Sequence, residues 1–273
     1  MKATSIYEVI RPIHLCSQII GLTSFSIKRD SNRNYEGFIS IYNWFCIITF
    51  TFWHAANIFR LNLDELIWEI NDRDFMSKWF EDSMKILITI NCLVWIFTVW
   101  WFLAMKSKLT VVINWIEEVD KALSSLNIPV NHGRHRKLLI IFLTVAQALN
   151  VCSTLFSFAV ANLTKVYEPD IYSDIAQFIA FELIILLFSQ IISFMWTVCI
   201  RSQQINSFLN SVYMAKLSSI EKFPVQESEA LKILPIIHDK LVDIAERLSF
   251  CYGVPVRLIE SLNSVNFRSL IDI

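Results

Sequence analysis

Four polar side chains stand inside long apolar runs and are the residues best placed to do chemistry: Asn91, Trp95, Glu182 and Gln190. An amide, an indole N–H or a carboxylate is costly in an apolar setting unless it finds a partner, so such groups usually face a bundle interior or a wet cavity. Glu182 is the sharpest of them, as the only carboxylate in the runs, and Gln190 follows about two helical turns later. Asn91 and Trp95 are joined by His54 and Asn57 in one neighbouring run and by Gln147 and Asn150 in another. With Trp53, Phe178 and Phe181 as further aromatic walls, they predict a pocket for a small ligand that has both polar and apolar parts. Interhelical hydrogen bonding is the competing use for each polar group.

Other chemistry is sparse. His132 and His135, in His-Gly-Arg-His, have the spacing of a metal pair, but no Cys or carboxylate ligands cluster beside them, and a basic membrane flank is the better reading. Cys16, Cys46, Cys92, Cys152, Cys199 and Cys251 stand singly, without the Cys-x-x-Cys spacing of a zinc or redox site, and read as small apolar residues. No nucleophile elbow and no Gly-rich phosphate loop occurs, so neither an enzyme nor a cofactor is expected. A net charge of −1 argues against nucleic acid as a partner.

The elements that must position these residues are the runs themselves, at Phe38–Phe59, Met84–Met105, Leu138–Ala161 and Ile175–Ile200. A helix crosses a hydrocarbon core about 30 Å thick with roughly 20 apolar residues, and each run is long enough. Composition agrees: hydrophobic residues make up 55% and charged residues 18%, and the mean hydropathy is +0.48. The expected fold class is therefore all-α, a polytopic membrane bundle of four transmembrane helices with cytoplasmic helical extensions.

Basic residues set the orientation, because Lys and Arg stay on the cytoplasmic side. Lys2, Arg11, Lys28, Arg29 and Arg33 precede the first run; Lys106, Lys108, Lys121, Arg134, Arg136 and Lys137 lie between the second and third; eight more follow the fourth. The alternate gaps hold only Arg60, Arg73, Lys78 and Lys165 among many carboxylates. Both termini are predicted to be cytoplasmic. The sequon Asn162-Leu163-Thr164 falls on the opposite side and is a weak glycosylation candidate. The N-terminal segment lacks the progression of a cleavable signal peptide.

Between and around the runs the pattern stays helical. Ser5–Phe25 reads as an amphipathic helix, either lying on the cytoplasmic membrane surface or packed on the bundle. Leu109, Val112, Ile113, Ile116, Val119 and Leu123 recur at three- and four-residue steps, with Glu117, Glu118, Asp120 and Lys121 interleaved, so the second run should continue as a helix until Asn127-Ile128-Pro129. Ser202–Leu217 extends the fourth run in the same way. A further helix is expected over 227–251, with Leu234, Ile237, Leu241, Ile244 and Leu248 on its apolar side.

The N-terminal Ile10-Arg11-Pro12, the later Gly21-Leu22, and above all the segment ILPIIHDKLVDIAERLSFCYGVPV resemble the insect gustatory receptors. The resemblance rests on Leu234, Ile237, His238 and Leu241 in the cytoplasmic helix, followed by an aromatic-Gly-x-Pro turn at Tyr252-Gly253-Val254-Pro255. It covers about residues 5–255 and implies a multi-pass plasma-membrane protein, the N-terminal part of a seven-span receptor. It further implies a ligand-gated cation channel assembled as a tetramer with other receptor subunits, with a small-molecule tastant as ligand. By depth alone, the tastant pocket carries over to Asn91, Trp95, Glu182 and Gln190. The cytoplasmic helices carry over as the anchor that joins subunits. Residues 1–255 thus read as the receptor-like domain and 256–273 as a divergent tail too short and mixed to cross a bilayer, as expected of a C-terminally truncated receptor without its pore-lining span. The alternative is a non-conducting membrane protein that associates with complete subunits and modulates them.

Overall fold

The computed structural model describes residues 5–23, 25–30, 34–68, 75–164, 171–218 and 225–271. Side chains at 61–85, 87–88, 157–158, 160–177, 180, 212–231 and 262–273 lie outside the described residues, and with them the acidic gap residues and the Asn162 sequon.

Apolar periodicity builds seven helices among the described residues: α1 (Ile6–Ile19), α2 (Ile41–Trp68), α3 (Phe75–Ala104), α4 (Lys106–Ser125), α5 (His132–Thr164), α6 (Ile171–Ser218) and α7 (Val225–Ile271). A short antiparallel hairpin, β1 (Ser26–Arg29) with β2 (Tyr35–Phe38), stands between α1 and α2. Two helical stretches, His132–Phe156 and Phe181–Ser211, are long and apolar enough to cross a membrane among the described residues. A third arises if Thr89–Ala104 and Lys106–Ser125 count as one broken span. The outward faces of these helices are apolar: Phe45, Ile48 and Phe52 on α2, and Ile192, Met195 and Trp196 on α6, are exposed. In water such a surface would be an aggregation hazard; against lipid it is the expected complement.

Local sequence explains where the helices begin and end. Ser5 caps α1 by accepting from the Glu8 N–H at 3.4 Å. Past the end of α1, Gly21 takes φ +88°, a conformation only glycine adopts without cost, and its α-carbon sits where a Cβ would lie 3.6 Å from Phe50. Asn127, at φ 60°, ends α4 in the left-handed region, with the Ile128 N–H returning to the Leu123 carbonyl at 3.0 Å. That stop is where the Asn-Ile-Pro break is expected. Asn131 opens α5 by accepting from the Arg134 N–H at 3.0 Å.

Three expectations need correction. The second run does not continue straight into α4, because the chain bends by 56° between Thr89–Ala104 and Lys106–Ser125. The Tyr252–Pro255 segment is helix rather than a turn, since α7 runs through both Pro235 and Pro255. Each proline removes one backbone hydrogen bond, and the burial of Leu234 and Ile237 around the first and of Cys251, Tyr252 and Ile259 around the second offsets that loss. The third concerns the N-terminal helix: α1 ends at Ile19, and Ile20–Thr23 form a turn where the expected helix would have run on to Phe25, with the hairpin starting only at Ser26.

The core runs the length of the assembly. α7 packs along α3, α4 and α6, and α1 packs on α5 and α6 as well as α4. Ile6, Val9, Ile10 and Ile13 of α1 are buried, so this helix is seated on the bundle. On α7, Leu234, Ile237, Leu241, Ile244 and Leu248 are buried while His238 faces outward. The Trp101 indole donates to the Cys251 carbonyl at 2.9 Å, tying α3 to α7. The hairpin is fixed by Asn114 of α4, whose side-chain amide accepts from the Tyr35 N–H at 2.7 Å and donates to the Tyr35 carbonyl at 2.9 Å, as a neighbouring strand would. Arg29 adds an ion pair to Glu117 at 2.8 Å.

Candidate functional site

The distal half of the bundle, where α2 and α5 end and α3 and α6 begin, holds Glu182, and further buried polar groups without a protein partner stand mid-helix on α2 and α3. Glu182 of α6 is 3% exposed, and only one of its oxygens is engaged: the Asn150 amide of α5 donates to Oε1 at 2.7 Å, while Oε2 has no protein partner. On α3, Trp95 is 2% exposed with an unpartnered indole N–H. On α2 the stretch 51–57 contributes Thr51 Oγ1, Trp53 Nε1, both ring nitrogens of His54 and Asn57 Nδ2, all buried and unpartnered. Seven of the thirteen such atoms among the described residues therefore fall at 51–57 of α2, at Trp95 of α3 and at Glu182 of α6. Buried polar atoms are ordinarily paired, because leaving one unpaired costs about 1–3 kcal/mol. These groups can hydrogen-bond a molecule that brings both donors and acceptors. Asn91 is half-buried on α3, one turn from Trp95, and Phe181 is exposed.

Gln190 behaves differently. Its Nε2 donates to Ser17 Oγ at 2.7 Å and to Thr23 Oγ1 at 3.0 Å, and its Oε1 accepts from the Tyr252 hydroxyl at 3.0 Å. The amide joins α1 and the segment after it to α6 and α7, and every one of those bonds stays within the protein. The Tyr252 ring is held in turn between Phe102, at a centroid distance of 5.4 Å, and Phe194, at 6.3 Å. The structure thus brings Glu182 together with Asn150, and Gln190 together with α1 and α7, about 12 Å apart along one helix.

Nearer the α4 end stands a buried ion pair that sequence reading passed over. Arg201 of α6, 2% exposed, grips Asp120 of α4 through Nε to Oδ1 at 2.9 Å and Nη2 to Oδ2 at 3.1 Å. His132 adds Nε2 to Asp120 Oδ2 at 3.4 Å. The sequence groups Asp120 with its acidic neighbours, yet it is four residues after Ile116 and three before Leu123, on the face α4 buries. That register was the available signal. The same contact takes His132 into the ion-pair cluster, and no group of three or more His, Cys, Asp or Glu side chains suited to a metal ion occurs among the described residues.

A predominantly helical chain with apolar outer faces and two to three membrane-length spans among the described residues is a multi-pass membrane protein. The family model for the 7tm chemosensory receptors matches residues 10–265, and the chain belongs to that family. No curated protein matches the chain.

Proposed function

We propose that the chain is a gustatory receptor subunit of the plasma membrane, which detects small-molecule tastants and works in a ligand-gated cation channel with other receptor subunits. In this reading α2, α3, α5 and α6 each cross the bilayer, and α4 and α7 lie on the cytoplasmic side with the N-terminus. The distal half then opens outward. The alternation of basic and acidic gaps supports that orientation, and membership of the chemosensory family supports the receptor role. One observation carries the ligand site: the buried atoms at 51–57 of α2, Trp95 of α3 and Glu182 of α6 that lack a protein partner, with Glu182 Oε2 the only carboxylate oxygen among them. Asn91, Trp95 and Glu182 remain the proposed ligand contacts, and the Gln190 amide supports them from below. The buried face of α7 at Leu234, Ile237 and Leu241 seats the anchor on α4, leaving His238 for contacts with a neighbouring subunit.

The test is expression at the surface of a heterologous cell, alone and with other subunits of the family, with membrane current recorded during application of sugars, amino acids and apolar bitter compounds. A tastant-evoked cation current that depends on this chain is the expected result. Silence of every combination despite confirmed surface expression contradicts the channel reading.

A further inference from the structure

A second polar site lies beneath the Gln190 joint, apart from the proposed ligand contacts Asn91, Trp95 and Glu182. A cavity of about 30 Å³ opens between α1, the hairpin, α4, α6 and α7, with His14, Thr23, Gln190, Ser193 and Tyr252 on its wall and apolar side chains elsewhere. Two of its polar groups have no protein partner. His14 is 8% exposed, its imidazole hydrogen-bonds the Phe25 backbone, and its Nε2 is unpartnered. Ser193 is 1% exposed and its hydroxyl is likewise unpartnered. The contrast within α6 is informative. Ser189 and Thr197, four residues to either side, donate to the carbonyls of Ile185 and Ser193 at 2.6 and 2.8 Å, as helical hydroxyls commonly do. Ser193 makes no such bond and lies on the cavity wall instead.

We propose that this cavity is a built water site, in which one or two water molecules bridge His14 Nε2 and Ser193 Oγ and so join α1 to α6 beside the direct Gln190 bonds. Size decides the ligand class first. A water needs roughly 10–15 Å³ measured this way, so the space takes one or two waters and excludes any tastant-sized molecule. Chemistry decides it second. The wall offers amide, hydroxyl, phenol and imidazole groups but no carboxylate or thiolate, which suits a neutral donor–acceptor molecule and not a cation. Burial also lowers the His14 pKa to about 4, against the upward pull of its bond to the Phe25 backbone, so at neutral pH the ring is uncharged and Nε2 accepts a hydrogen from water. The bridge makes the α1–α6 seam a continuous polar joint from Ser17 to Ser193.

Two measurements on the full chain in lipid nanodiscs test this. A density map that resolves other internal waters should show one or two within hydrogen-bonding distance of both His14 Nε2 and Ser193 Oγ; a dry cavity in such a map overturns the proposal. Ser193→Ala separates the cases by sign. With a bridging water, the variant strands a bonded water and lowers the melting temperature by about 2–4 °C. Adding His14→Leu then recovers part of the loss. In a dry cavity, Ser193→Ala removes an unsatisfied hydroxyl and leaves the melting temperature unchanged or raised, which contradicts the bridge. Should the variants fail to fold, the map of the unmodified chain decides.

Discussion

Glu182 and Gln190 sit eight residues apart on α6 as polar intrusions in one apolar run, yet the bundle treats them in opposite ways. Gln190 makes three hydrogen bonds, all to protein groups on α1, the segment after it and α7. Glu182 makes one, to Asn150, and keeps a buried carboxylate oxygen without a protein partner. A group whose hydrogen-bonding capacity is exhausted by its own protein holds structure together. One left half-satisfied in a dry interior retains free energy that an arriving molecule can recover. The difference separates a joint from a candidate site, and the buried atoms without a protein partner at 51–57 of α2 and at Trp95 of α3 fall on the same side of that distinction as Glu182.

Substitutions sharpen this contrast, beginning with the strongest. Arg201→Met leaves Asp120 buried without its guanidinium, and we expect a loss of about 3–5 kcal/mol of stability in thermal or denaturant unfolding. Pairing it with Asp120→Leu should restore most of that loss, because an apolar pair of similar size avoids the buried charge. If the double variant is as unstable as the single one, the ion pair supplies more than charge balance. Gln190→Leu should cost about 2–3 kcal/mol by stranding Ser17, Thr23 and Tyr252 together. Its ligand response, measured at matched surface level, should fall only as far as stability does. A Gln190 variant of full stability with a lost response would erase the distinction between joint and site.

Much of this organisation was legible in the sequence. The apolar runs marked the helices, and the three- and four-residue spacing of Leu109 to Leu123 marked the buried face of α4, because helical periodicity is a local property. The Asn127 stop was readable for the same reason. The hairpin was not. Its strands are four residues each and of mixed polarity, and the side chain that fixes them is Asn114, seventy-nine residues from Tyr35. Pro255 reads locally as a helix breaker, whereas the burial of Cys251, Tyr252 and Ile259 against other helices carries α7 through it. The polar residues Asn91, Trp95, Glu182 and Gln190 could be found from their apolar surroundings, but their sorting could not. Which of them is satisfied depends on Asn150, Ser17, Thr23 and Tyr252, partners that only tertiary packing supplies.

Glu182 offers the sharpest test of the proposed ligand site. Glu182→Gln keeps an oxygen for the Asn150 amide and puts an NH2 where the second carboxyl oxygen stood, so the folded chain should stay within about 1 kcal/mol of its original stability. The dose–response curve of the evoked current, compared between the original chain and Glu182→Gln at equal surface level, is the most direct measurement. A shift of about tenfold or more in the half-maximal tastant concentration, with the melting temperature nearly unchanged, is the predicted result. An unchanged curve would make Glu182 a packing residue and contradict the distal half as the ligand site.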